Sequence, residues 1–235
     1  MNRAQGASPG SSIVAVDTAG GPSSVVLTYD DGPEPGCTDA VLTVLADAGV
    51  TATFFVLLSR VRRHPALLRD TVAAGHEIAL HGPDHRRLTQ VDPATVAPRT
   101  RAARHELEDL VGRPVRWFRP PYGAQSAATW RAIDETGLTP VMWNARCLDW
   151  LDLPDDDRLN GVREAQAGAI VLTHDGFADG RDGVDDGPPP PVQRDKLARS
   201  IIELCAAKGL VCGSLSQALS TGRPVLDVWL DRAAS

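Results

Sequence analysis

The chain contains only four cysteines, and no two of them stand close together in the sequence. They are Cys37, Cys147, Cys205 and Cys212. Without a C-x-x-C spacing, neither a zinc ribbon nor a redox-active cysteine pair is expected. The cysteines are predicted to remain reduced thiols.

Long hydrophobic runs and excess positive charge are also absent. No segment approaches the 18 apolar residues of a membrane span, and the apolar patch 13–16 is too short for a signal-peptide core. We therefore expect a cytoplasmic protein, although a secreted chain whose leader had been removed would look the same. The net charge of −6, from 24 basic and 30 acidic residues, argues against a nucleic-acid partner or an anionic membrane surface. The sequence predicts no particular protein partner.

The composition is that of a folded globular protein. Of 235 residues, 43% are hydrophobic and 23% are charged, which excludes disorder for most of the chain. No linker or internal repeat divides it. We predict a flexible segment over residues 1–22, one domain over 23–220 and a peripheral tail over 221–235.

Short apolar runs alternate with stretches of helical periodicity along this domain. We predict strands over 24–29, 51–58, 77–80, 115–118, 140–143, 169–173 and 210–212, with helices between most of them. Seven such strands predict an α/β protein with a parallel sheet, either closed into a barrel or open and doubly wound. The pattern alone does not choose between the two.

Residues able to carry out chemistry follow the ends of five predicted strands. These groups are Asp30 and Asp31, His81 and His85, Arg119, Asp149 and Trp150, and His174 and Asp175. In parallel α/β sheets the carboxyl ends of the strands face one crevice, where binding sites form. We expect the five groups to converge there.

His81 and His85 are spaced so that both rings could face one metal ion. A carboxylate from Asp30 or Asp31 would complete a set of two histidines and one carboxylate, which leaves coordination positions open. Taken singly, each motif also fits an ordinary turn or a solvated loop. The same ligand set occurs in non-heme iron oxygenases, although that chemistry would not need Arg119 or an acid such as His174.

Two further residues could assist the chemistry at such a site, one as an ion-pair partner of an aspartate and one as an acid or base. Arg119 lies between a strand and two prolines, where a bidentate pair with an aspartate would explain it. His174 is a candidate acid or base near neutral pH.

The five motifs together resemble, in order and spacing, those of the NodB-homology polysaccharide deacetylases, carbohydrate esterase family 4. They read LTYDDGP (27–33), HGPDH (81–85), RPPY (119–122), DW (149–150) and VLTHD (171–175). The resemblance covers residues 23–219 and implies a distorted (β/α)7-type barrel.

The resemblance also implies a role for each site residue. Asp31, His81 and His85 would hold a divalent metal, most commonly Zn2+, with Co2+, Ni2+ or Mn2+ as alternatives. Asp30 would be the general base and His174 the general acid. The supporting roles would be orientation of Asp30 by Arg119, tuning of His174 by Asp149, an oxyanion-stabilising backbone N–H at Tyr122, and a substrate-facing wall at Trp150.

Some positions depart from the family pattern. Gly82 stands where the family usually has Ser or Thr, whose hydroxyl ties down the loop, and we expect Pro83 to provide rigidity instead. Tyr29 replaces the commoner Phe. Asn144 and Arg146 replace neighbours that are often acidic, which predicts a less acidic groove beside Trp150.

The resemblance predicts an enzyme that hydrolyses N-acetyl groups of N-acetylated amino sugars in a glycan, oligosaccharide or sugar conjugate. One alternative is an amide hydrolase acting on a cyclic imide or an allantoin-like compound. Another is an inactive metal-containing sugar-binding protein. The segment 175–191, rich in glycine, aspartate and proline, is predicted to be a surface loop that could be a lid, a partner surface or solvated chain.

Overall fold

The structure, a computed structural model, describes residues 8–231. The strands within this range are β1 (Ser11–Asp17), β2 (Ser24–Asp30), β3 (Thr53–Leu57), β4 (Glu77–Gly82), β5 (Trp117–Phe118), β6 (Thr139–Pro140), β7 (Ala145–Arg146), β8 (Ile170–His174), β9 (Val211–Gly213) and β10 (Arg223–Val228). The helices are α1 (Thr38–Ala48), α2 (Leu58–Arg63), α3 (Pro65–Ala73), α4 (Pro93–Val111), α5 (Ala127–Asp134), α6 (Asp155–Arg158), α7 (Asn160–Arg163), α8 (Arg194–Ala207) and α9 (Leu215–Thr221). Short 3-10 turns lie at Leu88–Gln90, Pro121–Gly123 and Gly180–Asp182.

A curled parallel sheet organises the molecule. Its strand order is β6-β5-β4-β3-β2-β8-β7, and β9 also pairs with β2. All of these pairings are parallel. The predicted α/β class and distorted barrel are confirmed, and each of the seven predicted strands overlaps a strand of the sheet.

The central strand β2 shows how the sequence aims side chains into the barrel. Leu27 and Tyr29 belong to the main hydrophobic core, which contains many of the buried helix side chains. Val26 belongs to a second, smaller core cluster, because side chains alternate between the two faces of a strand. Asp30 shares the face of Val26 and ends the strand, so the alternation directs its carboxylate into the barrel mouth.

The helices begin and end where the sequence provides caps. Helix α4 starts with Pro93 after Asp92, whose carboxylate accepts a hydrogen bond of 3.0 Å from the Ala94 N–H. Helix α1 ends at Gly49, whose positive φ of 64° suits a residue without a Cβ. Within residues 8–231, no helix has both the length and the apolar character that crossing a membrane requires.

The two ends of the chain depart from the prediction. Residues 11–17 are not a flexible segment: they form β1, which pairs antiparallel with β10 from the predicted tail. Strand β1 also bridges Val141 on one side and Ala169 on the other, and so spans the seam between the two edges of the curled sheet. The segment is ordered because Ile13, 3% exposed, completes the inner core. The predictions for residues 1–7 and 232–235 lie outside the described part of the chain.

Other differences are local. The strand predicted over 140–143 is confined to Thr139–Pro140, and Ala145–Arg146 forms an additional short strand. Two short helices, α6 and α7, lie between β7 and β8. The tail strand β10 is peripheral in one respect, since all six of its residues are exposed.

We predict that Ile13→Ala lowers the free energy of unfolding by about 2–5 kcal/mol, because it leaves a cavity where β1 closes the barrel. The matched control is Leu226→Ala, which truncates the register partner of Ile13 at a position that is 50% exposed. Urea denaturation measures both variants. Equal stability of the two would contradict a closing role for β1.

Candidate active site

A pocket of about 460 Å³ opens at the carboxyl ends of the parallel strands. Seven of the nine predicted site residues line it, namely Asp30, Asp31, His81, His85, Tyr122, Trp150 and His174. The other two, Arg119 and Asp149, are fully buried and contact pocket residues from behind. All five sequence motifs therefore meet in one place.

Asp31, His81 and His85 bring three potential metal ligands together. Asp31 Oδ1 lies 3.3 Å from His81 Nε2 and 3.2 Å from His85 Nε2. One ligand atom from each residue lies within 4.8 Å of the other two. The residue pattern left the choice of aspartate open, and the geometry selects Asp31, because Asp30 comes no closer to His81 Nε2 than 3.9 Å.

The protonation of these groups suits a cation. Asp31 Oδ1 is buried and has no hydrogen-bond partner within residues 8–231. Burial alone would raise the pKa of Asp31, but the His85 and His81 rings hold it well below its usual range. Burial lowers the pKa of His85, which favours the neutral ring that a metal ion needs. A buried carboxylate oxygen without a donor, beside two imidazole nitrogens, fits a divalent metal ion.

His81 is held in the orientation that a ligand needs. Its Nδ1 lies 2.8 Å from the carbonyl oxygen of Arg119, to which it can only donate. This bond fixes the tautomer, so Nε2 keeps its lone pair toward Asp31 and His85.

Arg119 places Asp30 at the edge of this cluster. Its guanidinium is completely buried, and Nη1 donates to Asp30 Oδ1 and to Thr28 Oγ1, both at 2.7 Å. The predicted bidentate pair with the aspartate is wrong: Nε and Nη2 donate instead to the carbonyl oxygens of Val141 and Met142, each at 3.1 Å. The single contact leaves Asp30 Oδ2 without a contact to Arg119.

His174 is paired with the buried carboxylate of Asp149. Its Nδ1 lies 2.8 Å from Asp149 Oδ1, and its backbone N–H donates to Asp149 Oδ2 at 2.9 Å. Arg194 also donates to Asp149 Oδ2. Burial disfavours the charged imidazole, but the Asp149 carboxylate outweighs it and raises the pKa of His174 to about 9. The ring is therefore protonated at neutral pH.

Tyr122 and Trp150 form opposite parts of the pocket wall. Tyr122 has a positive φ of 61° in the turn after Pro120 and Pro121, and its ring centroid lies 4.4 Å from that of His85. The Trp150 ring meets His174 edge-on at 5.5 Å between centroids.

A comparison of the sequence with known families identifies the group to which the chain is related. Residues 17–141 match the family described as Polysaccharide deacetylase. The chain belongs to this family. It is 38% identical over 189 residues to a chitooligosaccharide deacetylase from Bradyrhizobium sp. (strain ANU 289), covering 80% of this chain and 85% of that one.

Two further relatives extend the comparison. A peptidoglycan-N-acetylglucosamine deacetylase from Listeria monocytogenes is 34% identical over 155 residues, which cover 64% of this chain and 32% of that protein. The solved structure of a family 4 carbohydrate esterase from Streptomyces lividans, in complex with acetate, is 30% identical with a TM-score of 0.72. The match covers 86% of this chain and 96% of the esterase chain.

The departure from the family pattern at Gly82 has a steric cause. Gly82 has a φ of +142°, and a Cβ there would lie 2.7 Å from the Asp84 carbonyl oxygen. The loop is held by its backbone, because Ser59 N–H donates to Pro83 O at 3.1 Å and His85 N–H donates to Asp182 O at 2.9 Å. These two backbone hydrogen bonds restrain the loop at Pro83 and at His85.

Two residues at the site, Arg194 and Asp186, were not predicted from the sequence, and Asp175 was placed there without a role. Asp175 is buried, accepts hydrogen bonds from Thr38 Oγ1 and Gly32 N–H, and burial raises its pKa to about 7. Arg194 is a second partner of Asp149. Asp186 reaches the pocket from the loop 175–191. The Thr-His-Asp motif indicated Asp175, whereas nothing local marks Arg194 or Asp186.

We predict that the ring of His174 titrates near pH 9 in the metal-free protein. Burial without a carboxylate lowers the pKa of His76 to about 4, which provides an internal reference. Asp149→Asn should lower the pKa of His174, because its main carboxylate partner is removed, and an NMR titration of the imidazole signals measures both rings.

The raised pKa of His174 determines how the free energy of unfolding depends on pH. The pair stabilises the fold fully below about pH 6.5, and this contribution is lost as the pH rises toward about 9. Urea unfolding across this range should show the loss in the wild type but not in Asp149→Asn. Parallel profiles for the two proteins would contradict the assigned pair.

Proposed function

We propose that the chain is a hydrolase that removes N-acetyl groups from N-acetylated amino sugars in glycans or oligosaccharides. One observation carries the proposal: Asp30 and His174 are register partners on the neighbouring strands β2 and β8, beside the Asp31, His81 and His85 cluster. A carboxylate, a protonated imidazole and a set of metal ligands in one pocket are what amide hydrolysis requires. The named deacetylase relatives support the same activity.

Asp31, His81 and His85 would hold one divalent ion, which we propose to be zinc because two imidazoles and one carboxylate are ligands typical of catalytic zinc. Such an ion polarises the substrate carbonyl and makes nearby water more acidic.

Asp30 takes the proton from the attacking water. Arg119 occupies Oδ1, so Oδ2 is the oxygen that can accept it. The buried guanidinium also prevents the carboxylate from rotating away, which keeps the base aligned with the reacting carbonyl.

His174 gives its proton to the departing amine. Its Nδ1 is engaged by Asp149, which leaves Nε2 as the donor to the pocket. The backbone N–H of Tyr122 would stabilise the oxyanion, and the Trp150 ring would form a wall against the sugar.

The alternatives account for fewer of these contacts. An iron oxygenase would need neither Arg119 on a second aspartate nor a protonated His174. An inactive sugar-binding relative would not need Asp30 and His174 to be held by separate buried ion pairs. A cyclic imide or allantoin-like substrate would use the same chemistry, and the named glycan deacetylases favour the sugar.

We predict that chelation abolishes acetate release from N-acetylated chitooligosaccharides and that added zinc restores it. Metal analysis before and after chelation relates the activity to metal content. Acetate release that persists in protein freed of metal would contradict the mechanism. Bound metal with no acetate released from any glycan would favour a small-molecule amide instead.

We predict opposite outcomes for the two neighbouring aspartates. Asp30→Asn should keep the metal and lower kcat by about 10²–10⁴-fold, because a general base is lost. Asp31→Asn should lose metal affinity, because a ligand charge is removed. The two variants are matched controls, since each removes one carboxylate charge at adjacent positions. Full activity of Asp30→Asn would favour another base.

A further inference from the structure

His81 and His85, two of the three proposed metal ligands, differ in the hydrogen-bond partner of Nδ1, the ring nitrogen that faces away from Asp31. His81 Nδ1 has a partner at 2.8 Å, the carbonyl oxygen of Arg119. His85 Nδ1 is buried and has no hydrogen-bond partner among the described residues. A histidine that binds a metal almost always donates its other N–H to a carboxylate, a carbonyl or water, and this bond sets its tautomer.

The carboxylate nearest to His85 Nδ1 belongs to the loop 175–191, for which the sequence predicted no single role. Asp186 Oδ2 lies 3.7 Å from His85 Nδ1. A hydrogen bond between such atoms spans about 2.9 Å, so an approach of less than about 1 Å would complete it. We propose that Asp186 is a positioning residue for the metal site, in which its carboxylate accepts the His85 Nδ1–H and orients the ring toward the ion.

Tyr122 holds Asp186 in reach of His85. Its hydroxyl donates to the same Asp186 Oδ2 at 2.6 Å. The Tyr122 ring packs against two neighbours: its centroid lies 4.4 Å from that of the His85 ring and 4.3 Å from Arg87 Cζ. One carboxylate oxygen has two lone pairs, so Oδ2 can accept from the tyrosine and the histidine together.

The loop also contacts His85 at an earlier point. The carbonyl oxygen of Asp182 accepts the His85 N–H, and the Asp182 side chain is fully buried. That side chain accepts hydrogen bonds from Ser59, Arg60 and Arg63. The segment 182–186 therefore contacts His85 twice, at its backbone N–H through Asp182 O and near its ring through Asp186. Between these two contacts the chain turns at Gly183, which has a φ of +84°.

This inference rests on the proposed function, because it assigns an outer contact to one of the proposed metal ligands. It also gives the segment 175–191 a structural purpose. The loop brings a carboxylate to the metal site, in addition to the three residues that would bind the ion directly.

Zinc affinity of the purified protein tests the proposal without an activity measurement. Competition with a chromogenic chelator should show about 10–100-fold weaker zinc binding for Asp186→Ala than for the wild type. The matched control is Asp185→Asn, which removes a charge from the adjacent exposed residue and should stay within about twofold of the wild type. Visible absorption of the cobalt-loaded protein should change in Asp186→Ala and not in the control.

The outcomes separate the possible failures. If Asp186→Ala binds zinc as tightly as Asp185→Asn, and the cobalt spectra match, Asp186 does not position His85. If both variants weaken binding equally, the effect is one of general charge and the proposal is also overturned. Wild-type protein that binds zinc and releases no acetate would contradict the proposed function alone, and wild-type protein that binds no metal would contradict both.

Discussion

The buried side chain of Arg119 links the proposed catalytic residues to strand β1. A cation removed from water costs several kcal/mol unless its donors are satisfied, and here Asp30, Thr28 and two carbonyl groups accept from it. One of those carbonyls belongs to Met142, whose N–H donates to Ile13 O at 2.7 Å. The first strand therefore supports the residue that orients the proposed base. Because Arg119 O also holds His81, the same residue orients one of the proposed metal ligands.

Two adjacent aspartates acquire different roles from the backbone at the end of β2. Asp30 is the last residue of the strand and points into the barrel, where Arg119 meets it. Asp31 has a positive φ of 74°, so the chain turns sharply and its carboxylate faces the histidines instead. Two like charges this close would repel each other in a shared environment. A cationic side chain beside Asp30 and two histidine rings beside Asp31 remove that conflict.

The sequence was informative where a local pattern determined the structure. Short apolar runs predicted the strands, and the polar groups at their ends predicted which side chains meet, because parallel strands share one edge. It failed where the partner is distant in the chain. Strand β1 gains its order from β10, more than 200 residues away, and from the seam it spans. Arg194 and Asp186 reach the site from a helix start and an irregular loop, where no periodicity indicates a direction.

The two groups proposed to transfer protons have opposite requirements at one pH. The base must be ionised and the acid protonated, although both residues end neighbouring strands of the same sheet. The structure meets this with buried partners of opposite sign, a guanidinium on Asp30 and a carboxylate on His174. Arg194 shares Asp149 with His174, so the carboxylate balances two cations and its hold on the proton is moderated. An acid held too tightly would not release its proton to the amine, so a shared counter-ion suits a residue that must both keep a proton and give it away.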